Sequence, residues 1–462
     1  MTDINKILFL PEGKTLEFKQ DLSSLKPILK TLIAFANTAG GTLIIGRTDK
    51  GKVIGVENIF VAEEQLTSAI ADNIYPPLMP EIEISTFKGC SLLIVQVPFW
   101  RGPFYLKSKG EEQGTYIRLG SSSRLAGPEM LAELKRAVMK TSFDQQPCPD
   151  IDVSGLNMKK IKETFAKVGK KIQQKTLETL GILVPFHKKL VCSNGGLILF
   201  GKDELRKQYF PNAEVRCARF QGSTKTQFID QLDIQGSVLD ATIEVPKFIQ
   251  RNTRLAASIE GARRKDIPEY SPIVIREILT NALVHANYSI LGMNPKIAIF
   301  SDRLEIESPG MLPYGYTLEN FFSGVSHVRN KVIVRVFREL NLMEEWGTGY
   351  KRIEETCQKD NYPLPAWNEI GNTLRVSLTP HSASQEKKTS PTPPSQIELS
   401  IRQEKIISLF AKSDSLSLKE IHKKLKSLGS ERTFRNDLQE LKEKNLVVMV
   451  GRGPATRWKL KS

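Results

Sequence analysis

The stretch Arg276 to Asn287, REILTNALVHAN, constrains the fold more than any other part of the chain, because it joins helix periodicity to polar residues that an ordinary helix surface does not use. Apolar Ile275, Ile278, Leu279, Ala282, Leu283 and Ala286 recur at helical spacing, while Glu277, Asn281 and His285 follow at intervals of four and share one stripe. Asn and His are indifferent helix formers, and a solvent face is more stably built from Lys, Glu or Gln. Taken alone, the stretch reads equally as the polar edge of a core helix. Its surroundings add to it. Lys296 to Phe300 and Arg303 to Glu307 alternate as strands joined at Ser301 and Asp302, and Pro309 with Gly310 opens a loop. Arg329 and Asn330 mark a turn, and Gly347, Thr348 and Gly349 precede another helix, where free amides and the helix dipole favour a phosphate.

This order of helix, hairpin, Pro-Gly loop, Arg-Asn turn and Gly-Thr-Gly helix entry resembles the GHKL ATPase superfamily, which includes histidine kinases, gyrase B subunits and MutL. Specifically, it is similar to the divergent branch found in bacterial transcriptional regulators. The resemblance implies an α/β sandwich that binds ATP with Mg²⁺. It makes Glu277 the residue that activates the attacking water and Asn281 the one that holds the metal. His285, Gly310 and Arg329 are further expected cofactor contacts, with Gly347, Thr348 and Gly349 as the phosphate loop. Ser308-Pro309-Gly310 stands where other members have an Asp-x-Gly that reads the adenine amino group, and the segment from Gly310 to Gly347 has no second glycine cluster. ATP binding with at most weak ATPase activity is the expectation.

At 462 residues the chain has room for roughly three domains at the usual 100 to 200 residues each. A hydrophobic content of 40% with 25% charged residues is that of a globular protein with ample core. No apolar run approaches membrane-spanning length and the N-terminus lacks a signal-like pattern, so a cytoplasmic protein without a membrane partner is expected. Cys90, Cys148, Cys192, Cys217 and Cys357 form no CxxC pairs and read as buried thiols.

The net charge of +15 is uneven, for Ile401 to Ser462 holds 15 Lys and Arg against 7 Asp and Glu, a net of +8. A polyanionic partner follows from that concentration. Residues 381–400, rich in Pro, Ser, Thr and Lys, read as a flexible linker. Beyond it, Arg402 to Ala411 is helical, Ser417 introduces a second helix, Ser430 caps a third, and two short strands follow. The pattern looks like a winged helix-turn-helix for duplex DNA, with Arg432, Thr433, Arg435 and Asn436 on the recognition helix and Arg452 and Arg457 on the wing. A protein-binding winged helix with merely solvated charges is the alternative.

Near the N-terminus, Glu12 and Glu17 flank GKTL, Phe18-Lys19 follows, and a helix from Ser23 to Ala36 leads into GGTLIIGRTDKG. These residues resemble the Schlafen AlbA-type domain, whose ExxxxEFK and GGxLxxG signatures match over roughly the first 135 residues. The resemblance implies nucleic-acid binding, RNA or DNA. In nuclease members two glutamates and a later aspartate gather a divalent metal, and Glu12, Glu17 and Asp49 are the matching positions. The local chemistry also allows an ordinary ion pair between Glu17 and Lys19. Lys107, Lys109 and Arg118, interleaved with Tyr105 and Tyr116, could hold phosphates and stack bases, or the aromatics could be core.

Helix Met130 to Met139 closes this part, and TSFDQQPCPD reads as a boundary. Helical character returns from Leu156 to Leu180, GGLILFG (Gly195 to Gly201) reads as a strand, EVRCARFQG as another and IEVPKFIQRNT as a helix. The resemblance to the regulators extends from EVRCARFQG through the Arg276 helix and thus covers nearly the whole chain.

The expected architecture is α+β and multidomain: an AlbA-like α/β domain over residues 1–140, a connector and GHKL-like α/β sandwich over 150–380, the linker, and a winged helix-turn-helix over 401–462. The expected role is a nucleotide-responsive DNA-binding transcriptional regulator, acting as a homo-oligomer. A Schlafen-like metal-dependent nuclease controlled by the ATPase-like domain, in defence, is the enzyme alternative, and an adaptor without either activity is the third.

Overall fold

The computed structural model describes residues 4–260, 263–344, 348–385, 400–410, 413, 415–443, 446–450 and 456–460. The chain divides into two compact units, Met1–Gln385 and Glu386–Ser462. It is an α+β protein throughout.

In the N-terminal part of the first unit, a four-stranded sheet runs in the order Leu16–Lys19, Gly41–Ile45, Cys90–Val97, Glu81–Phe87, with only the first pair parallel. Its central strands are near-continuous apolar runs because both faces are covered. Leu43, Ile45, Leu93 and Val95 pack under helices Leu25–Thr38 and Ile59–Asn73, while Ile44, Leu92 and Ile94 meet Leu8 and Phe18 on the other side.

Farther along, a six-stranded mixed sheet runs Phe228–Ile234, Val215–Phe220, Lys296–Ile299, Leu304–Pro309, Thr373–Leu378, Ala366–Ile370. Val215–Phe220 and Lys296–Ile299 are parallel and their neighbours antiparallel. One face shares a core with helices Val238–Asn252, Pro272–Val284, Lys331–Glu339 and Gly349–Asp360, the expected α/β layering.

Several expectations need correction. Gly195 to Gly201 is not a strand: Asn194–Phe200 is a wholly buried helix, capped by Ser193 Oγ accepting from Gly196 N at 2.9 Å. A short apolar run carries no periodicity to separate helix from strand, and Gly196 is there because a Cβ would lie 2.4 Å from the Ile182 carbonyl oxygen. TSFDQQPCPD is no loose boundary either. Asp144 is fully buried, and its Oδ2 accepts from Val332 N (2.7 Å) and Ile333 N (2.9 Å), capping helix Lys331–Glu339. Helix Pro272–Val284 stops before His285 to Asn287. The first residues of the expected linker are docked: His381 is buried, with its amide on Glu269 O at 2.9 Å, and Ser382–Gln385 is helical. Residues 386–399 of that linker lie outside the described residues.

The N-terminal and middle parts are packed together within the first unit. Ile117 and Leu134 cluster with Met311 and Tyr314, Lys14 Nζ pairs with Glu369 at 2.9 Å, and Gly315 N donates to Thr38 O at 2.6 Å.

The second unit has helices Ile401–Phe410, Leu418–Lys424 and Glu431–Glu443 followed by the hairpin Val447–Val450 and Arg457–Leu460. Ile406, Ile421, Phe434, Leu438, Leu441, Val447 and Trp458 form its core. Ser417 and Glu420 make a reciprocal capping box at the second helix, as the Ser-x-x-Glu spacing dictates.

Candidate functional site

Helix Pro272–Val284 starts where Ser271 and Pro272 suit an N-terminus, and it buries Val274, Ile275, Ile278, Leu279, Leu283 and Val284 in the core. The remaining stripe, Glu277, Asn281 and His285, faces a cavity of about 130 Å³. Ser308, Gly310, Arg329, Thr348 and Gly349 line the same cavity. The structure therefore brings together these sequence-identified positions. Gly347 lies outside the described residues.

The electrostatics around the stripe are specific. Arg352 Nη1 holds Glu277 Oε1 at 2.8 Å and Arg276 Nη2 approaches it at 3.2 Å. Arg352 also pairs with Glu344, whose Oε2 accepts from Thr348 Oγ1 at 3.3 Å. The first turn of helix Gly349–Asp360 abuts the stripe closely enough that a Cβ on Gly349 would stand 3.5 Å from Glu277 Oε2 and 3.7 Å from Asn281 Nδ2. His285 has a buried Nδ1 without a hydrogen bond. Burial, then the positive Arg329 and neighbouring His327, push its pKa down to about 4, so the ring is neutral at pH 7.

Arg329 acts as a clamp. Its Nε meets Glu133 Oε1 at 3.0 Å, Nη1 donates to His285 O at 2.9 Å and Nη2 to Met311 O at 2.7 Å. Its guanidinium is thus occupied by protein rather than open for a ligand. Gly310 packs against it: φ is +93°, and a Cβ would lie 2.7 Å from Asn287 Cβ and 2.8 Å from Arg329 Nη1. Ser308 is buried and its hydroxyl donates to Ala282 O at 2.7 Å, which closes off the helix carbonyl.

The opposite wall is aromatic. Phe321, Tyr350 and Trp367 stand with their ring centroids 5.5 Å apart pairwise, and Tyr316 completes the lining. Sequence reasoning missed these rings, as it missed Arg352 and Glu133. The one available signal was the pair Phe321-Phe322 in the segment from Gly310 to Gly347.

For ATP and Mg²⁺, the fit divides. At about 130 Å³ the cavity is close to the roughly 150 Å³ that takes a benzene ring, so its aromatic end has room for one planar ring. Asn281 lines the same cavity, with its Nδ2 toward Gly349. At the hydrolytic end Glu277 Oε1 is held by Arg352 and Arg276, while Oε2 lies toward Gly349.

The N-terminal carboxylates do not gather as a set of three. Glu17 is buried and paired with Arg118 Nη1 at 3.0 Å and with Lys19, the ion-pair arrangement that its spacing allowed. Glu12 is exposed and its Oε1 accepts from Phe18 N at 3.1 Å, and Asp49 lies on an exposed turn. Among the described residues no group of three acidic, His or Cys side chains is placed to hold a metal ion. Arg118, expected to meet phosphates, is 1% exposed, donating to Gly13 O at 2.5 Å and Ser123 Oγ at 3.2 Å. Its role here is to neutralise Glu17. Lys107 and Lys109 are exposed on the helical turn Lys107–Lys109, with Lys107 Nζ on Ala71 O at 2.8 Å.

In the second unit, Arg432, Arg435 and Asn436 are exposed on the third helix, whose other face carries Phe434, Leu438 and Leu441 into the core. Thr433 is half-buried, its amide donating to Ser430 Oγ at 3.3 Å. Arg457 is exposed but braced, with Nη2 on Glu420 Oε2 and Ser415 O, both at 3.0 Å. Arg452 lies outside the described residues.

Comparison with known proteins agrees with this layout. Residues 12–127 match the family model described as "Schlafen, AlbA_2". Residues 292–378 match HATPase_c_4, described as "Putative ATP-dependent DNA helicase recG C-terminal", and residues 402–456 match the DeoR-like helix-turn-helix domain. The chain thus carries an AlbA-type, an ATPase-like and a helix-turn-helix segment in that order. The middle match begins after the helix that bears Glu277 and Asn281. No curated protein matches the chain. Among solved structures, the crystal structure of the DIP2311 protein from Corynebacterium diphtheriae is 19% identical, covers 97% of this chain and 92% of its own, and has a TM-score of 0.42. The solution NMR structure of the N-terminal domain of a RecG-related protein from Nitrosomonas europaea is 29% identical, covers 28% of this chain and 95% of its own, and has a TM-score of 0.22. Among the described residues no helix is long and apolar enough to cross a membrane.

Proposed function

We propose that this protein is a DNA-binding transcriptional regulator whose response to a nucleotide is set in the middle of the first unit. The observation that carries the reading is the DeoR-like helix-turn-helix with Arg432, Arg435 and Asn436 exposed on its third helix, in the segment where the positive charge is concentrated. A helix presenting a forked guanidinium and a side-chain amide to the major groove can read guanine and adenine edges, while lysines around it neutralise phosphates. A lone module of this kind reads one half-site, so the proposal includes a second copy of the chain.

The nucleotide part is supported by the shared cavity of Glu277, Asn281, His285, Thr348 and Gly349 and by the ATPase-like match. In this reading Asn281 orients Mg²⁺ and the aromatic wall takes the base. Binding without rapid hydrolysis is expected, since Arg352 holds Glu277 Oε1 in an ion pair. The exposed lysines of the AlbA-type part are proposed to add non-specific contacts to DNA or RNA.

The test is duplex-DNA binding by the full chain, followed by fluorescence anisotropy across a salt series. Affinity should fall steeply with salt, and Arg435→Ala should reduce it with about one unit less of salt slope if the contact is to phosphate. Absence of duplex binding at low salt, or unchanged binding by Arg432→Ala with Arg435→Ala, contradicts the proposal.

A further inference from the structure

A second cavity, of about 470 Å³, lies where the N-terminal and middle parts of the first unit meet. Its walls are the Phe99 to Arg101 loop, helix Pro128–Val138 and the segment that carries Arg329 and Lys331. The size falls within the range of small-ligand sites, roughly 300 to 1,000 Å³. Its chemistry differs from that of the aromatic cavity beside it.

Four cations line it besides Arg329: Arg101, Arg136, Lys140 and Lys331. The single lining acid, Glu133, is already engaged, Oε1 by Arg329 Nε at 3.0 Å and Oε2 by Asn287 Nδ2 at 2.7 Å. Among the described residues no ion pair joins those four cations to a carboxylate. Arg101 and Lys140 are exposed at the rim, and Lys331 Nζ donates to the Lys140 carbonyl at 2.7 Å.

Arg136 is the telling residue. It is only 8% exposed, its guanidinium lies 5.5 Å from the centroid of the Phe143 ring, and the one hydrogen bond its side chain makes among the described residues is Nη2 to Ser289 Oγ at 3.3 Å. Removing a guanidinium from water is strongly unfavourable unless charge and hydrogen bonds compensate it. Burial pulls the Arg136 pKa down, Glu133 opposes this, and the nearby Arg329 adds to it. The remaining donors of the five-donor fork have no protein acceptor among the described residues and are open to the cavity, beside three other cations.

We propose that this junction cavity binds a phosphate-bearing small molecule, with Arg136 forming a bidentate contact to the phosphate and Arg101, Lys140 and Lys331 supplying the remaining charge. Phe99 and Phe143 offer apolar surface for whatever the phosphate is attached to. The inference is independent of nucleotide binding beside Asn281. The two cavities share Arg329 and His327 in their walls, so a ligand in one is in a position to influence the other.

The test is calorimetry on the full chain with inorganic phosphate, pyrophosphate and ADP in separate titrations. Pyrophosphate should bind. Arg101→Ala with Lys140→Ala, both at the exposed rim, should weaken it about tenfold, the loss of about 1.4 kcal/mol. Arg136→Gln should weaken it further, and Arg136→Lys should fall between, since it keeps the charge and loses the fork. Circular dichroism checks that each variant is folded. Asn281→Ala should leave pyrophosphate binding unchanged, which separates this site from the neighbouring one. ADP binding more tightly than pyrophosphate, with the same dependence on Arg136, would identify a nucleotide as the source of the phosphate. No heat with pyrophosphate or ADP, or a rim variant that binds as wild type does, overturns the proposal. A rim variant that loses duplex-DNA affinity while binding pyrophosphate normally overturns it in favour of a nucleic-acid surface.

Discussion

Glu277, Asn281 and His285 stand around one cavity, whereas Glu12, Glu17 and Asp49 do not gather into one set of three, although both trios place polar side chains at motif spacing. Glu277 and Asn281 ride a single face of one helix and His285 follows at its C-cap, so the three meet whatever else the chain does. The second trio is spread over an exposed segment, a strand and a turn, and its convergence depends on distant residues. Arg118, far along the chain, reaches Glu17 from the inside and turns that carboxylate into a core ion pair. Spacing within one element is therefore geometric information, and spacing between elements is not.

The sharpest way to break this comparison is Arg118→Ala. It leaves Glu17 buried opposite Lys19 alone, and losing one partner of a buried pair costs about 3 to 5 kcal/mol. Urea unfolding of the full chain should show that loss in the first unit. A loss below about 1 kcal/mol, together with stabilisation of the variant by Mn²⁺, would restore Glu17 as a metal ligand.

Gly310→Ala should come next, at about 2 to 3 kcal/mol, because a side chain at φ +93° is strained and would press on Asn287 and Arg329. Thermal unfolding checks it. A neutral substitution would mean that the Arg329 clamp is not rigid. Glu277→Gln is expected to be milder, about 1 to 2 kcal/mol, since it leaves Arg352 with Glu344 as its remaining charged partner. Nucleotide affinity measured by calorimetry should stay within about twofold. A large loss of affinity would mean that Glu277 binds rather than balances Arg352.

A pH dependence from His285 should be of the size expected for Gly310→Ala, about 3 kcal/mol between its two end points. Its folded pKa, about 4, lies below the ordinary histidine value of 6.5, so on acidification the unfolded chain takes up the proton first. Stability should therefore fall as pH drops from 6.5 to about 4 and level off below. His285→Gln should flatten that part of the profile, and an unchanged profile would show that His285 is not held neutral.

The ends of the chain were more legible than its middle joints. The helix-turn-helix could be read because Ser417, Glu420 and Ser430 are local caps and its apolar residues keep helical period. The helix of Glu277 could be read for the same reason, down to the shared face. Asn194–Phe200 could not, since a buried apolar helix and a buried strand have the same composition. Asp144 could not either: a polar, Pro-containing stretch reads as a boundary until it is seen capping a helix almost two hundred residues later. The aromatic wall and the Glu133 to Arg329 contact are likewise long-range products of packing.

Nucleotide in the first unit is proposed to change DNA binding by the protein. The most direct test is the duplex-DNA affinity of the full chain at fixed salt, with and without saturating ATP and Mg²⁺, for wild type and Asn281→Ala. A coupling of 1 to 3 kcal/mol, about 5- to 150-fold in affinity, is the usual range for linked sites. Wild type should shift by at least about fivefold and Asn281→Ala should not shift. Equal DNA affinity in the presence and absence of nucleotide, with nucleotide shown to be bound, would contradict the proposal.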